Sequence, residues 1–270
     1  MRGIDVSVFN ENIDWQAVKA AGIDFAICRT GFGRTDADET FQAQVDGAHK
    51  AGLICGAYHH SYALNADAAA EEARFCKSII ERAGVMLELP VWVYVADSDG
   101  YKKRHGFDFT KTNVTAICRA FLDNIKPLNC GVYSSASWLT DFIDWQSLGC
   151  QIWNAQWSSE DSLHGKIWQF TDALKVGGQT FNGNILYDNA AASSTSANAQ
   201  PTATSTATTS TATTSTAQST QNLIHNILSN RKDEATTSTA PAQSAPQTST
   251  QSKPQSSAQN LIHNILSNRK

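Results

Sequence analysis

Short apolar runs alternate with amphipathic helical patterns over residues 1–190, and this alternation constrains the fold more than any other feature. Each of seven runs is short and bounded by Gly, Pro or polar residues, as strands are. They span residues 2–8, 25–31, 53–60, 90–97, 129–135, 150–157 and 165–171. Because a helix between two strands favours parallel pairing, the pattern predicts an α/β fold, a TIM-like (β/α) barrel.

Helical patterns fill several of the gaps between these runs. Residues 14–22, 38–52 and 66–84 carry apolar side chains on one face, and each segment ends at a glycine, a common helix stop. A segment of this length is short for eight full strand–helix units. We therefore expect some helices of the barrel to be irregular or missing.

A change in composition marks the end of the globular part. All Trp, Phe and Tyr lie before residue 190, whereas Ser, Thr, Ala and Gln dominate residues 191–270. A segment without aromatic residues cannot bury enough apolar surface to offset its ordering entropy. We expect a single barrel domain over residues 1–190, followed by a disordered tail with linkers at 191–220 and 233–258.

The tail carries one short sequence twice, QNLIHNILSNRK at residues 221–232 and again at 259–270. In each copy the Leu and Ile side chains fall on one helical face, with Asn and Ser opposite and a basic pair at the C-terminal end. A segment this short is marginal for an isolated helix. The helical repeats either fold on a partner, which the sequence leaves unknown, or pair with each other.

Net charge narrows the class of partner. The whole chain carries −4 and the tail +3, so the barrel domain is near −7, which argues against nucleic acid. No apolar stretch is long enough to span a bilayer, so no transmembrane segment is predicted, and the N-terminal sequence MRGIDVSVFN does not resemble a signal peptide. We expect synthesis in the cytoplasm, with any release depending on a separate lysis or export system.

The cysteines and histidines favour structural roles. Most of the six cysteines sit in apolar runs and none forms a CxxC pair, so buried free thiols are favoured over disulfides. His59 and His60 have no Cys or carboxylate cluster at ligand spacing, so neither a metal site nor a cofactor is predicted, and hydrogen-bonded histidines are favoured.

Six motifs follow one another within residues 1–190: GIDVSVFNENIDWQAVKAAGIDFAICRTGFG, AHKAGLICGAYHHSYA, PVWVYVADSD, GVYSSASWL, IWNAQWSSED and IWQFTDALKVGGQTFNGNILY. Their order resembles glycoside hydrolase family 25, the phage- and bacterial-type N-acetylmuramidases, or lysozymes. The resemblance implies an irregular (β/α) barrel with its site at the carboxyl ends of the strands. It also implies cleavage of the β-1,4 bond between N-acetylmuramic acid and N-acetylglucosamine in peptidoglycan.

The acids of the family are mostly replaced in this chain. The family places one Asp on the first strand, an Asp-x-Glu at the end of a central strand, with the Glu as general acid, and an Asp near the last strand. Asp5 matches the first of these. Tyr94 and Ala96 stand at the central pair and Asn182 at the last position, with Asp188 as a poorly aligned substitute.

Asp97 and Asp99 keep the Asp-x-Asp spacing but lie three positions late, an odd number that turns them to the opposite face of the strand. We interpret them as solvated turn residues. Alanine cannot donate a proton, and loss of a general acid commonly lowers the rate by about 10² to 10⁴.

Further residues match positions near the family's cleft, where aromatic faces stack on sugar rings and Arg or Gln serve hydroxyl and acetamido groups. These are Arg29, Tyr58, His59, Tyr62, Trp92, Gln156 and Trp168. Trp92 and Trp168 fit the filling of the barrel equally well.

Three functions remain open from the sequence. The first is a lysozyme-like domain that binds peptidoglycan or a related glycan with weak or lost hydrolysis. The second is an active endolysin that recruits Asp97, Asp99 or Asp188. The third is a non-enzymatic assembly protein in which the repeats dock a borrowed barrel to a partner.

Overall fold

Eight strands close into a barrel in the structure, a computed structural model that describes residues 1–187. The strands are β1 (Arg2–Val6), β2 (Phe25–Phe32), β4 (Ile54–Ser61), β5 (Val91–Val95), β6 (Cys130–Ser135), β7 (Ile152–Ala155), β8 (Ile167–Val176) and β9 (Gln179–Leu186), with a short extension of β2, β3 (Asp36–Ala37). The helices are α1 (Trp15–Ala20), α2 (Phe41–Lys50), α3 (Ala66–Ala83), α4 (Tyr101–Arg104), α5 (Lys111–Asn124), α6 (Ala136–Asp141) and α7 (Trp145–Leu148). The predicted linkers and both repeats lie outside the described residues.

The predicted parallel pairing is confirmed for seven strands. From β1 through β8, neighbouring strands around the barrel pair in parallel. The eighth, β9, runs antiparallel to both β8 and β1 and closes the ring. The sequence analysis missed β9, because its Asn and Gly residues are unfavourable in strands. Gly177 and Gly178, both with positive φ, form the tight turn that joins β8 to β9.

The helix ring is incomplete, as the sequence predicts. Residues 156–166, between β7 and β8, contain no helix, and β8 connects directly to β9. Helix α3 has clear ends, since the Asn65 side chain accepts a hydrogen bond from the backbone of Ala68 and Gly84 adopts the left-handed conformation. No helix in residues 1–187 is both long and apolar enough to cross a membrane.

The core has two layers, because side chains alternate between the two faces of each strand. Outward-facing residues of the strands pack against the helices. Inward-facing residues fill the barrel: Phe25, Ile27, Trp92, Tyr133, Trp153, Ile167 and Leu186. Gly131 makes room for Trp92, since a Cβ there would lie 2.5 Å from the indole ring. All six cysteines are free, as predicted, and four of them are buried.

Candidate functional site

Asp5 lies inside the barrel because both its neighbours on β1 pack outward. Its side chain accepts three amide hydrogen bonds and the residue is only 4 % exposed. Gln169 and Asn184 donate to Oδ2 at 2.9 and 2.8 Å. Asn182 donates to Oδ1 at 2.9 Å. We call Asp5, Gln169, Asn182 and Asn184 the acid corner.

Two tryptophans orient two of the three amides of the acid corner, Asn184 and Gln169. Trp153 Nε1 donates to Asn184 Oδ1 at 2.9 Å, and Trp157 Nε1 donates to Gln169 Oε1 at 3.1 Å. Each amide therefore turns its N–H groups toward Asp5. Burial raises the pKa of Asp5 above its ordinary value, while the three amide hydrogen bonds act in the opposite direction.

Aromatic rings occupy the ends of β4, β5 and β6. Tyr94 stacks on Tyr133 with ring centroids 4.4 Å apart, and Tyr133 stacks on Trp153 at 3.9 Å. His60 lies 4.6 Å from Tyr94. We call these four residues the aromatic stack. It is joined to the acid corner because Gln169 Nε2 also donates to the Tyr133 hydroxyl at 2.9 Å.

Tyr94, which the sequence resemblance aligns with the family's central Asp, points into the barrel and packs against its inner cluster. Burial raises the pKa of Tyr94 to about 12, so its phenol is neutral near pH 7 and does not replace a carboxylate. Strand β5 ends at Val95, and Ala96, which the sequence resemblance aligns with the general acid, follows it directly and carries only a methyl group.

Asp97 and Asp99 are turn residues, as predicted. The Asp97 carboxylate accepts from the backbone N–H groups of residues 102 and 103, at 2.6 and 3.2 Å. Asp99 Oδ2 accepts from the Tyr62 hydroxyl at 2.9 Å. The expectation that both are solvated is wrong for Asp99, which is 6 % exposed because Tyr62 and the start of α4 cover it.

Arg29 enters the barrel from β2, and its charge is balanced there. Its Nε donates to Asp38 Oδ2 at 3.0 Å in a buried ion pair. The guanidinium carbon lies 5.1 Å from the centroid of the Phe9 ring and 5.9 Å from that of Phe32. These rings and Asp38 hold the guanidinium in place.

Two predicted tyrosines contact the aromatic stack. The Tyr58 ring meets Tyr133 and Trp153 edge-on, with centroids 6.0 Å apart in both pairs. Tyr62 lies 4.8 Å from His60. The structure therefore brings Tyr58 and Tyr62 into contact with the aromatic stack that contains Tyr94.

The placement of His59 in the cleft is corrected by the structure. His59 is fully buried on the outer side of β4, where Nδ1 lies 2.8 Å from Thr30 Oγ1 and Nε2 lies 2.8 Å from the carbonyl of Gly33. Burial lowers its pKa to about 4. The expectation of a hydrogen-bonded histidine is thereby confirmed for His59. In residues 1–187 no group of three or more His, Cys, Asp or Glu side chains is arranged to hold a metal ion.

Three other predicted cleft residues serve the scaffold. Trp92 is fully buried in the inner core beside Trp153, which corrects its placement in the cleft. Trp168 faces out of the barrel and donates from Nε1 to the backbone carbonyl of Gln156 at 2.7 Å. The Gln156 side chain accepts from the backbone and hydroxyl of Ser162. Asp188 lies outside the described residues.

Six residues of this site are not among those predicted from the sequence: His60, Tyr133, Trp153, Trp157, Gln169 and Asn184. Strand periodicity was the available signal for two of them, since a step of two from Tyr58 reaches His60 and a step of two from Asn182 reaches Asn184.

Comparison with known proteins agrees with this architecture. The chain is 27 % identical over 183 residues to the autolytic lysozyme of Clostridium acetobutylicum, covering 66 % of this chain and 52 % of that protein. It is 42 % identical over 59 residues to lysozyme M1 of Streptomyces globisporus, covering 22 % of this chain and 20 % of that one. The chain thus spans about half or less of the length of these relatives.

Among solved structures, the modular autolysin LytC of Streptococcus pneumoniae, in complex with a synthetic peptidoglycan ligand, has the same fold. The TM-score is 0.63 at 20 % identity, over 69 % of this chain and 46 % of that one. Residues 4–179 match glycosyl hydrolases family 25. With nearly the whole barrel inside that match, the chain belongs to glycosyl hydrolases family 25.

Proposed function

We propose that this domain is directed at peptidoglycan or a related glycan and binds it with weak or lost hydrolysis. The observation that carries the proposal is the chemistry of the inward positions that hold acids in the family. Tyr94, Ala96 and Asn182 occupy three of them, and Asp5 alone keeps a carboxylate. Tyr94 is also committed to the aromatic stack.

Glycoside hydrolysis needs two groups on opposite sides of the scissile bond. One protonates the leaving oxygen, and the other attacks the sugar, activates water or stabilises the cationic transition state. Asp5 supplies one carboxylate at most. Asn182, which donates to Asp5, keeps hydrogen bonding but has no charge to stabilise a cation.

Other carboxylates near the strand ends are already engaged. Asp38 accepts from Arg29, from the backbone of Val8 and from the hydroxyl of Thr40. Asp97 and Asp99 hold the turn before α4. Recruiting any of them for catalysis requires breaking these hydrogen bonds.

Binding is supported by different observations. The relatives include lysozymes, and LytC has been seen with a synthetic peptidoglycan ligand. The same end of the barrel offers aromatic faces, amides and an acid, groups that suit a neutral sugar. If the cell wall is the site of action, a separate lysis or export system delivers the protein, and the tail repeats attach it to a partner still to be identified.

An active muramidase is the second candidate, and one observation favours it. Burial raises the pKa of Asp5, which is the direction required of a general acid. On this alternative Asp5 protonates the leaving group, and the second carboxylate that hydrolysis needs is recruited from Asp97, Asp99 or Asp188.

Incubation of the full chain with purified, insoluble peptidoglycan separates these functions. Co-sedimentation and the release of reducing ends are measured on the same samples. Binding without release is the expected result. Release that disappears in Asp5→Asn would establish the active enzyme, and neither binding nor release would favour an assembly role.

Restoring the acids tests the position of the lost site. We expect the triple variant Tyr94→Asp, Ala96→Glu, Asn182→Asp to gain reducing-end release. The single variant Ala96→Glu is the matched control, since it returns the proton donor without the other two carboxylates. A folded triple variant that binds peptidoglycan but releases nothing would contradict the assignment of these positions.

A further inference from the structure

We propose that Trp157 is a sugar-stacking platform of this site and that its indole N–H positions Gln169 against Asp5. The inference rests on the proposed glycan-binding function and identifies a residue that contacts the sugar. The ligand class is a neutral, β-1,4-linked oligosaccharide of N-acetylated hexosamines.

Trp157 is exposed at the functional end of the barrel. It follows closely after β7, which ends at Ala155, and 38 % of it is exposed to solvent. The carboxyl ends of barrel strands are where ligands of such folds bind. Met86, another exposed large apolar residue at 71 %, precedes β5 and so belongs to the opposite end of the barrel.

The loop that carries Trp157 is held firmly. Buried Asp161 accepts from the Asn154 side chain at 2.6 Å and from the backbone N–H groups of residues 163 and 165. The Gln156 side chain accepts from Asn154 and from Ser162. The exposure of the indole is therefore a fixed feature of the loop, and a ring fixed in advance loses little entropy on binding.

The polar edge of Trp157 is satisfied within the protein. Its Nε1 donates to Gln169 Oε1 at 3.1 Å, and Gln169 Nε2 donates to Asp5 Oδ2 at 2.9 Å. The exposed part of the indole can therefore contact the apolar face of a pyranose. Hydroxyl or acetamido N–H groups of the same sugar then reach the acid corner. One residue thus supplies both a stacking surface and the orientation of an amide.

Two substitutions separate these two roles in the full-length chain. Binding of tetra-N-acetylchitotetraose is measured by calorimetry between pH 4 and pH 8, together with co-sedimentation on peptidoglycan. We expect Trp157→Ala, which loses both the ring and the N–H, to weaken binding about tenfold and to shift its pH dependence. Trp157→Phe keeps a ring but loses the N–H, so we expect a smaller loss of affinity with a similar shift in pH dependence, because the indole no longer orients Gln169 toward Asp5.

Met86→Ala is the control, because it removes an exposed apolar side chain from the other end of the barrel. Wild-type affinity for both probes in Trp157→Ala would overturn the inference and leave the proposed function standing. A pH profile of Trp157→Phe identical to wild type would overturn the positioning role. If the wild-type protein binds neither probe, the proposed function fails and the inference fails with it.

Discussion

The acid corner and the aromatic stack meet inside one barrel, yet they are built on opposite principles. In the acid corner a single carboxylate is enclosed by three amides, and every bond is directional. In the aromatic stack, rings at centroid separations of 3.9 to 4.6 Å fill the space by contact. The first presents directional polar groups, whereas the second presents mainly aromatic surface.

The difference shows that, at these positions, packing of the barrel and the presence of a carboxylate are independent of each other. The phenol of Tyr94 stacks on Tyr133, so an aromatic side chain at this position is accommodated by ring packing and not by polar bonds. Asp5, by contrast, joins the first strand of the barrel to its last two, because it lies on β1 and its partners lie on β8 and β9. Retaining Asp5 therefore serves closure of the barrel as well as any ligand.

Trp153 joins the two regions, so its loss has the largest expected effect. It stacks on Tyr133 and donates to Asn184. We expect Trp153→Ala to lower the free energy of unfolding by about 3–5 kcal/mol, through a cavity in the inner core. Urea unfolding followed by circular dichroism measures the change. Trp157→Ala, on an exposed loop, is the matched control. An equal loss of unfolding free energy in this variant would show that the aromatic stack does not contribute more to stability than an exposed tryptophan does.

Asn184→Leu breaks the acid corner while leaving the stack in place. Leucine has a similar volume but leaves Trp153 Nε1 without its acceptor and removes one amide donor from Asp5. We expect a loss of about 1–3 kcal/mol in the free energy of unfolding, the cost of an unpaired buried polar group. Asn182 is less buried and has no indole partner, so we expect Asn182→Leu to lower the free energy of unfolding by less than Asn184→Leu. A larger loss in Asn182→Leu would contradict the proposed network.

Much of the fold was predictable because seven of its strands are apolar and bounded by polar or glycine residues. The site was harder to predict. Asp5, Tyr94 and Asn182 were found through motifs, but Gln169 was missed because its importance comes from a partner far away in the sequence. The motif around His59 places it in the cleft, but strand alternation turns His59 to the outer face of β4, opposite to Tyr58 and His60. Asp99 was expected to be solvated because a turn sequence does not reveal that Tyr62 covers it.

Asp97→Ala tests whether the acids of the turn before α4 contribute to binding or catalysis together with the acid corner or the aromatic stack. The Asp97 carboxylate accepts from two backbone N–H groups in the first turn of α4, so we expect its loss to lower the free energy of unfolding by about 1 kcal/mol. Binding to peptidoglycan and any release of reducing ends should stay unchanged. Loss of release in a protein that still sediments with the wall would instead assign Asp97 to catalysis and favour the active enzyme.

Asp5→Asn has the smallest expected effect on stability, and its direction depends on pH. Because burial raises the pKa of Asp5 in the folded protein, its ionisation opposes folding. Relative to the variant, wild-type protein is therefore most stable below the ordinary Asp pKa and loses stability as pH rises through the raised value.

In urea unfolding, we expect the free energy of unfolding of Asp5→Asn to rise relative to that of the wild type between pH 3 and pH 7. Asn182 bonds to Asp5 through its amide and can rotate to offer its oxygen to the new N–H. Asp46→Asn, on the exposed face of α2, controls for the removal of one negative charge from an acidic domain. The opposite result, in which the wild type gains stability over Asp5→Asn as the pH rises to 7, would mean that the three amide hydrogen bonds outweigh the effect of burial on Asp5. Asp5 would then be held as a carboxylate that accepts hydrogen bonds from a ligand, and not as a proton donor.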